Sequence, residues 1–544
     1  MTRLLVGPLL RHVGTTDATV WVETDAPCEV EVLGCRERTW TVAGHHYALV
    51  VVTGIEPGTS NEYEVRLDGE LAWPPFDSSR PPSRIRTGAA DESQRTVRLA
   101  FGSCRYGRAA LKLNDKRFEA DSLACYAREL ATRDAADWPD AILMLGDQVY
   151  ADETSEPTQR RIRDRRDITK GPKGEVADFE EYTWLYLESW TDPDVRWLLS
   201  TIPSSMIFDD HDVRDDWNTS HAWRVDMQKT SWWEERIIGG LSSYWVYQHL
   251  GNLSPSDLSE NELFQNVRAH GGDAEPLLRA FAAAADAEAD GAKATRWSYR
   301  RDFGRVRLVM IDSRCGRILA DGQRRMVSRD EFAWITEQTD ADYDHLLIGT
   351  SLPWLLARSL HDVEVWDEML ADGVRGARMA RFGEWLRRAA DLEHWAAFRK
   401  SFEELGELIA SVGRRPDAPA TICVLSGDVH HAYAAQAHFP KPVQSPVYQL
   451  TCSPLHNYVP LVMKIFFRVF WSRVANRVVR SLLSIVINVP PPSLTWKRTS
   501  GPYFGNELAE FIADGRSAHT VLRRSAPRDD PAQLHEVARL DLSP

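Results

Sequence analysis

Residues able to bind a metal ion or to move a proton come directly after five apolar runs of the sequence. The junctions read Gly-Ser-Cys-Arg at 102–105, Gly-Asp-Gln-Val-Tyr at 146–150, Asp-Asp-His-Asp at 209–212, Asp-Ser-Arg at 312–314 and Gly-Asp-Val-His at 427–430. Carboxylates that meet in one place repel one another, and a multivalent cation relieves that repulsion. Carboxylate, imidazole and thiolate ligands together suit a mixed transition-metal and divalent-ion site. These residues favour metal-assisted hydrolysis over nucleophilic serine chemistry.

The apolar runs that precede these junctions alternate with helical stretches from Val97 onward, which predicts an α/β layer architecture. Apolar spacing predicts a helix over 123–130. In open α/β sheets a site forms outside the carboxyl ends of the strands, so the junction residues are expected to converge. The predicted strands are 97–101, 141–145, 205–208, 306–311, 346–348 and 421–425.

Each junction also has an ordinary structural interpretation. Gly-Asp is common turn chemistry, Cys104 can be a small buried apolar residue, and 209–212 can cap a helix. Asp428 and His430 carry more weight, because their spacing lets both side chains reach one centre. Five such junctions together make coincidence the weaker explanation. Arg105 and Arg314 are candidate phosphate clamps, because a guanidinium group can bond two oxygens at once.

The first 90 residues form a separate predicted unit, a small antiparallel β-sandwich with alternating strands. Val20 and Val22 are expected in its core, with Trp21 and Glu23 facing water. The segment 50–65 resembles the late strands of fibronectin type III modules. Residues 91–96 are interpreted as a linker, and 97–544 as the catalytic domain, with 255–294 as a surface insertion.

Composition excludes several classes of protein. The chain has 544 residues and a net charge of −14, which disfavours nucleic-acid binding. Its seven cysteines contain no CxxC pair, so a disulfide scaffold or a zinc ribbon is not expected. The N-terminus lacks a secretory apolar region, and no uninterrupted apolar stretch is long enough to span a membrane. These features predict a cytoplasmic protein.

The segment 461–488 is apolar and basic, with no acidic residue. One interpretation is an amphipathic helix lying on anionic lipid, which would make a peripheral membrane contact. However, the first two basic residues and the last three project on nearly opposite helix faces. Two packed helices that cover the catalytic domain or form a subunit contact are therefore favoured. The basic residues are Lys464, Arg468, Arg473, Arg477 and Arg480.

The order of these motifs resembles the PhoD-like branch of the calcineurin-type metallophosphatases. The resemblance rests on 101–104, 145–150, 208–212 and 426–430, with 189–197 and 453–457 also similar. It runs from about Val97 to beyond Asn457. It implies a four-layer α/β/β/α catalytic domain, and a small β-sandwich before that domain is also typical of the family.

The resemblance also implies roles for individual residues. Asp147 would bridge two metal ions, Tyr150 would bind ferric iron as tyrosinate, and His211 would be catalytic. His211 is expected to steady the phosphoryl oxygens or to protonate the leaving group. Fe3+ together with Ca2+ is the expected metal pair. The full set of expected metal ligands is Cys104, Asp147, Tyr150, Asp210, Asp216, Asp428 and His430.

The expected function is a metal-dependent hydrolase that cleaves small-molecule phosphate monoesters or diesters with a metal-bound hydroxide. Two alternatives stay open from the sequence. One is a phosphodiesterase that acts on lipid head groups at the same site. The other is a non-catalytic binding protein whose metal site is degenerate.

Overall fold

The computed structural model describes residues 2–91, 95–107, 118–291, 295–320, 322–525 and 533–543. Residues 92–94 of the expected linker and 292–294 of the expected insertion lie outside these ranges.

The N-terminal domain is built from antiparallel strands. Two four-stranded sheets have the orders β1-β2-β6-β5 and β4-β3-β8-β9, while β7 and β10 form a separate pair. Alternate residues of both sheets, such as Leu10, Val20 and Val65, form the core between them. The strands are β1 (Leu4–Val13), β2 (Asp17–Thr24), β3 (Glu29–Val32), β4 (Cys35–Arg38), β5 (Trp40–Val42), β6 (His45–Thr53), β7 (Ser60–Glu62), β8 (Val65–Leu67), β9 (Glu70–Trp73) and β10 (Arg84–Arg86).

The second face of the β1-β2-β6-β5 sheet is also buried, because it packs on the catalytic domain. Trp21 packs at a tilt against Tyr247 with ring centroids 5.1 Å apart, and Glu23 accepts a hydrogen bond of 2.9 Å from the Tyr247 hydroxyl. The prediction that Trp21 and Glu23 face water is therefore wrong. A two-residue period identifies opposite faces of a strand, but it does not reveal that a second domain covers the outer one.

The catalytic domain contains two mixed sheets. Their orders are β13-β12-β11-β21-β22-β23 and β14-β15-β16-β17-β19-β18-β20. The six predicted strands correspond to β11, β12, β13, β15, β16 and β17. The strands are β11 (Thr96–Gly102), β12 (Ala141–Leu145), β13 (Ser204–Ile207), β14 (Tyr299–Phe303), β15 (Val306–Ile311), β16 (His345–Thr350), β17 (Thr421–Ser426), β18 (Ala432–His438), β19 (Val447–Thr451), β20 (Thr495–Tyr503), β21 (Glu507–Asp514), β22 (Ser517–Ser525) and β23 (Leu534–Asp541).

Strands β11, β12 and β13 run parallel, as do β15, β16, β17 and β19. Apolar residues of both sheets share one cluster, for example Leu143 of the first sheet and Leu308 of the second. On its other face the second sheet packs against helical residues such as Trp395 and Phe402. Burial of both faces explains why these parallel strands read as continuous apolar runs.

Fifteen α-helices lie among the described residues. The predicted helix 123–130 is confirmed as α1, where the Asp121 carboxylate accepts the N–H groups of Leu123 and Ala124 as an N-cap. The helices are α1 (Ser122–Leu130), α2 (Glu156–Arg165), α3 (Phe179–Trp190), α4 (Pro193–Thr201), α5 (His221–Gln228), α6 (Trp233–Tyr244), α7 (Pro255–Glu260), α8 (Glu262–Ala269), α9 (Glu275–Asp286), α10 (Arg329–Gln338), α11 (Arg358–Ala371), α12 (Ala377–Ala389), α13 (Arg399–Val412), α14 (Leu461–Phe470) and α15 (Arg473–Val486).

The described part of the expected insertion 255–294 is more integrated than a surface excursion. It forms α7, α8 and α9, and apolar residues of these helices, including Phe264, Leu278 and Ala282, belong to the main core. Small alanine side chains allow α9 to pack against α6. The sequence did not indicate this packing, because only one narrow face of each helix is apolar and the segment as a whole is polar.

The segment 461–488 contains α14 and α15, which lie over α11. Phe467 of α14 and Leu483 and Val486 of α15 contact buried clusters that include residues of α11. No helix in the described ranges combines the length and the hydropathy that crossing a membrane requires.

Candidate metal centre

Acidic side chains from both sheets converge where their parallel strands end. Asp147 follows β12, Asp209 and Asp210 follow β13, and Asp428 follows β17. One ligand oxygen from each of these four residues lies within 4.8 Å of the others. Asp147, Asp210 and His211 form a second such group. The two groups share Asp147 and Asp210, so the arrangement has the overlap that two neighbouring cations need.

The backbone at this centre adopts a conformation that L-residues rarely use. Cys104, Asp147, Asp428 and His430 have φ angles of 55°, 52°, 65° and 49°. Left-handed non-glycine residues cost of order 1 kcal/mol each and concentrate at functional sites. Gly427 makes the approach of the two sheets possible, because a Cβ atom there would collide with the Ser103 hydroxyl.

Asp212 holds the loop that carries Asp147. Its carboxylate accepts the backbone N–H groups of Asp147 at 2.9 Å, Gln148 at 3.2 Å and Val149 at 3.3 Å. It also accepts the N–H of Asp209 at 2.9 Å. Asp212 therefore positions two neighbouring acids. The sequence placed it in the acidic cluster but gave no sign of this role.

Several carboxylate oxygens of the centre are buried without a hydrogen-bond partner among the described residues. They include Oδ1 of Asp147 and Oδ2 of Asp209. Burial, with repulsion from neighbouring acids, raises the pKa of Asp147 well above its usual range and that of Asp209 to about 8. Unpaired buried charge is costly unless a cation or proton compensates for it. The unsatisfied oxygens and the hard donor set therefore fit bound metal ions.

His211 is held by an acid that the sequence analysis did not select. Its Nδ1 lies 3.0 Å from both carboxylate oxygens of Asp152. Burial alone would lower the pKa of His211, but the charges of Asp152 and Asp210 outweigh it and raise the pKa well above its usual range. The same pairing overcomes burial at Asp152 and lowers its pKa to about 2. No motif spacing points to Asp152, which lies in the loop after β12.

A third histidine at the centre was also missed by the sequence analysis. His394 Nε2 lies 2.9 Å from Oδ2 of Asp428, and its Nδ1 lies 2.7 Å from Glu364. It precedes a short 3-10 helix, Trp395–Ala397, rather than following a strand. Burial lowers the pKa of His430 to about 4, so its imidazole is neutral and has a free lone pair.

Cys104 and Tyr150 both lie beside the acidic cluster. The Cys104 thiol donates to Oδ2 of Asp147 at 3.3 Å. The Tyr150 hydroxyl accepts a hydrogen bond of 2.9 Å from Asn457, and its ring centroid lies 4.8 Å from that of His211. Burial raises the pKa of both groups well above their usual ranges, so a cation is needed to favour thiolate and tyrosinate.

The two predicted phosphate clamps are placed differently from expectation. Arg105 is buried and donates to Asp121 at 2.8 Å and to the Ser189 carbonyl at 2.8 Å. Arg314 is also buried, and it pairs with Asp209 and Glu393. Neither guanidinium lines the cavity described below. Because both groups are buried and most of their donors are engaged by protein acceptors, the structure does not support a phosphate-clamp role.

Asp216 also differs from expectation. Its backbone N–H donates to Oδ2 of Asp210 at 3.2 Å, and its side chain does not line the cavity, whereas that of Asp215 does. Its contact therefore orients the Asp210 carboxylate through the main chain.

A cavity of about 300 Å³ opens onto the centre. Its floor contains Asp147, Asp210, His211, Asp428 and His430. Apolar lining residues come from the length of α14 and the two residues before it: Val459, Pro460, Met463, Phe466, Phe467 and Phe470.

This geometry can be compared with known proteins. A profile of the family described as "PhoD-like phosphatase" matches residues 116–461, well over half of the chain. The chain belongs to the PhoD-like phosphatase family. The matched range includes each expected metal ligand except Cys104. As a PhoD-like phosphatase the protein is an enzyme, which confirms that part of the prediction.

The other comparisons concern the fold and the N-terminal domain. A solved structure described as "Structure of PhoD" has 12% sequence identity and a TM-score of 0.59, and the match covers 99% of this chain and 90% of that one. This shows a shared fold. Residues 1–85 match a family described as "Domain of unknown function (DUF7800)". Among curated proteins, none matches the chain.

Proposed function

We propose that this PhoD-like phosphatase hydrolyses small-molecule phosphate esters at a centre of two or more metal ions. The observation that carries the proposal is the pair of overlapping ligand groups that share Asp147 and Asp210. Cys104, Tyr150, Asp428 and His430 complete the proposed ligand set around them. When bound, the ions supply Lewis acidity and an activated water nucleophile.

The protein's own residues supply orientation and a proton. The His211 imidazolium, held by Asp152, donates a hydrogen bond to the phosphoryl oxygens or a proton to the leaving oxygen. His394 fixes the orientation of the Asp428 carboxylate. Asp212 fixes the loop of Asp147 through three backbone N–H groups.

We propose Fe3+ and Ca2+ as the metal pair. The phenol of Tyr150 and the thiol of Cys104 support iron, since both are donors for a transition metal, and the oxygen-rich remainder supports calcium. A visible charge-transfer absorption band is expected in the loaded enzyme, and Tyr150→Phe should remove or strongly shift it. A colourless enzyme that contains no iron would contradict this assignment.

Hydrolysis is tested with chromogenic phosphomonoesters and phosphodiesters on purified protein, before and after chelation. We expect activity that chelation removes and added metal restores. Asp342→Asn, which changes an exposed acid paired with Arg305, serves as the matched control for Asp147→Asn. Activity that survives both chelation and Asp147→Asn would contradict the proposed centre.

A phosphodiesterase acting on lipid head groups is the second candidate. The apolar lining of the cavity favours it, because such a lining can hold an acyl or alkyl group. Diesters that differ only in the length of one alkyl group separate the two candidates. The first predicts no dependence of kcat/KM on chain length, and the second predicts a rise. The presence of the acidic ligand set speaks against a degenerate site.

The finer points of fold and location are also proposals. The shared cluster between the two sheets and the helices outside the second sheet support a four-layer α/β/β/α sandwich. The antiparallel sheets of the N-terminal domain support a fibronectin type III-like arrangement. All seven cysteines are free, which supports a reducing compartment such as the cytoplasm.

A further inference from the structure

Exposed apolar side chains concentrate on α14 and α15. Of the 17 large apolar residues that are exposed in the described chain, ten lie between Leu461 and Ile485. Because these residues recur at intervals of three and four, they form one outward-facing stripe along each helix. The stripe of α14 contains Leu461, Val462, Ile465, Phe466 and Val469, and that of α15 contains Val474, Val478, Leu482 and Ile485. We call these two stripes the helical patch.

The opposite sides of the two helices are well packed. The Phe467 ring stacks on His431 with centroids 4.3 Å apart, and Leu483 and Val486 contact a buried cluster. The helices are therefore packed on the protein by their inner faces, while each outer face leaves its own stripe of apolar residues exposed. Exposed patches of this kind mark surfaces of interaction.

Charge indicates what covers the helical patch. The chain carries a net charge of −14, yet 461–488 has five basic residues and no acidic one. Arg480 pairs with Asp362, whereas Arg468, Arg473 and Arg477 are exposed beside the stripes. A second copy of the chain would bring like charges together at a symmetric contact, which disfavours it. An anionic lipid surface satisfies both the apolar stripes and the arginines.

The lengths of the helices exclude a spanning arrangement. With 10 and 14 residues, α14 and α15 extend for about 15 and 21 Å. These lengths fall short of the ~30 Å hydrocarbon layer. The stripes would therefore contact the lipid surface without crossing it. Phe466 of the stripe lines the cavity together with Met463, Phe467 and Phe470, so a lipid surface at the helical patch would lie next to the cavity mouth.

We propose that the helical patch docks the enzyme on an anionic lipid surface. The sequence pattern alone favoured a packed or subunit role, because the basic residues do not share one helix face. A single shared face is not required, because each helix has its own apolar stripe and at least one exposed arginine of its own. The proposal concerns binding and does not depend on hydrolysis.

Co-sedimentation of the full chain with vesicles tests the proposal without any substrate. One set of vesicles contains equal parts of phosphatidylglycerol and phosphatidylcholine, and the other contains phosphatidylcholine alone. We expect the protein to pellet with the anionic vesicles and to be released by high salt. Val478→Asp/Leu482→Asp should weaken the apparent affinity at least about tenfold. Arg473→Gln and Arg477→Gln should each weaken it about fivefold.

Leu33→Asp/Leu71→Asp is the matched control, because both residues are exposed on the N-terminal domain. It should bind like the unaltered protein. Absence of binding to anionic vesicles, or equal binding by the patch variant and the control variant, would overturn the proposal. A concentration-dependent dimer that Val478→Asp/Leu482→Asp dissolves, with no vesicle binding, would overturn it in favour of a second copy.

Discussion

Buried charge is handled in opposite ways at the domain interface and at the metal centre. At the interface each side-chain nitrogen of one buried arginine reaches an acceptor. Arg11 donates to the carbonyls of Tyr247 at 2.8 Å and Gln248 at 2.7 Å and to the side chain of Asn252 at 3.1 Å, and its Nε–H is directed at the Ser204 carbonyl. The protein itself completes this group.

At the metal centre the acids outnumber the protein's own cations. Arg314 pairs with Asp209, yet Oδ2 of Asp209 and Oδ1 of Asp147 have no hydrogen-bond partner among the described residues. A fold keeps such oxygens buried only if another charge compensates for them. Satisfied hydrogen bonds around Arg11 therefore hold the domains together, while carboxylate oxygens without a partner mark the place where ions could bind.

Asp147→Asn is expected to produce the largest effect. Loss of the shared ligand should lower hydrolysis by about a thousandfold or more. The free energy of unfolding in metal-free buffer should not fall, because the change removes one of several mutually repelling acids. Steady-state kinetics and denaturant titration measure the two quantities. A large loss of metal-free stability would show that Asp147 is a structural residue like those at the interface.

Arg11→Leu should show the reverse pattern. Four buried acceptors lose a charged donor, at about 1–3 kcal/mol each, so unfolding should become easier by at least about 4 kcal/mol. The activity per folded molecule should stay unchanged. Arg3→Leu is the control, because Arg3 forms an exposed pair with Asp25 and should have little effect. If Arg11→Leu is as stable as the unaltered protein, Arg11 does not stabilise the interface, and the proposed contrast with the metal centre is wrong.

Chelation should destabilise the unaltered protein by about 3 kcal/mol if the ions are near a hundred times their dissociation constant. In Asp147→Asn the effect of chelation should be much smaller. Thermal unfolding with and without a chelator measures both. An equal shift in the two proteins would place the stabilising ion elsewhere.

The smallest expected effect depends on pH and concerns His45 at the interface. Burial lowers its pKa, but hydrogen bonds to Glu180 at 2.8 Å and Glu23 at 3.0 Å outweigh burial and raise it to about 9. A raised pKa means that the contribution is complete below the unfolded value of about 6.5 and is lost as pH rises through about 9.

His45→Gln should therefore be less stable than the unaltered protein by about 1–2 kcal/mol at pH 6, since the ring is partly exposed. Above pH 9.5 the difference should disappear. Urea unfolding at several pH values measures it. A difference that does not change with pH would mean that the histidine contributes by packing alone.

The strand-end rule explains what the sequence could predict. Asp147, Asp210 and Asp428 each follow a parallel strand, and the carboxyl ends of those strands bring them together. The roles assigned to individual ligands stay predictions. The six strands could be predicted because burial on both faces makes their sequences continuously apolar.

Residues that act through long-range contacts could not be predicted in this way. Asp152 and His394 lie in loops, and only the folded chain brings them to His211 and Asp428. Arg105 follows a strand, as the acidic residues of the centre do, but its guanidinium group pairs with Asp121 instead. Spacing along the chain contains no information about such a partner.

Metal analysis of the purified protein is the sharpest test of the proposed centre. We expect about two ions per chain, a clear loss in Asp147→Asn, and no loss in Arg11→Leu or Asp342→Asn. A protein that retains no metal, yet hydrolyses phosphate esters in the presence of a chelator, would contradict it.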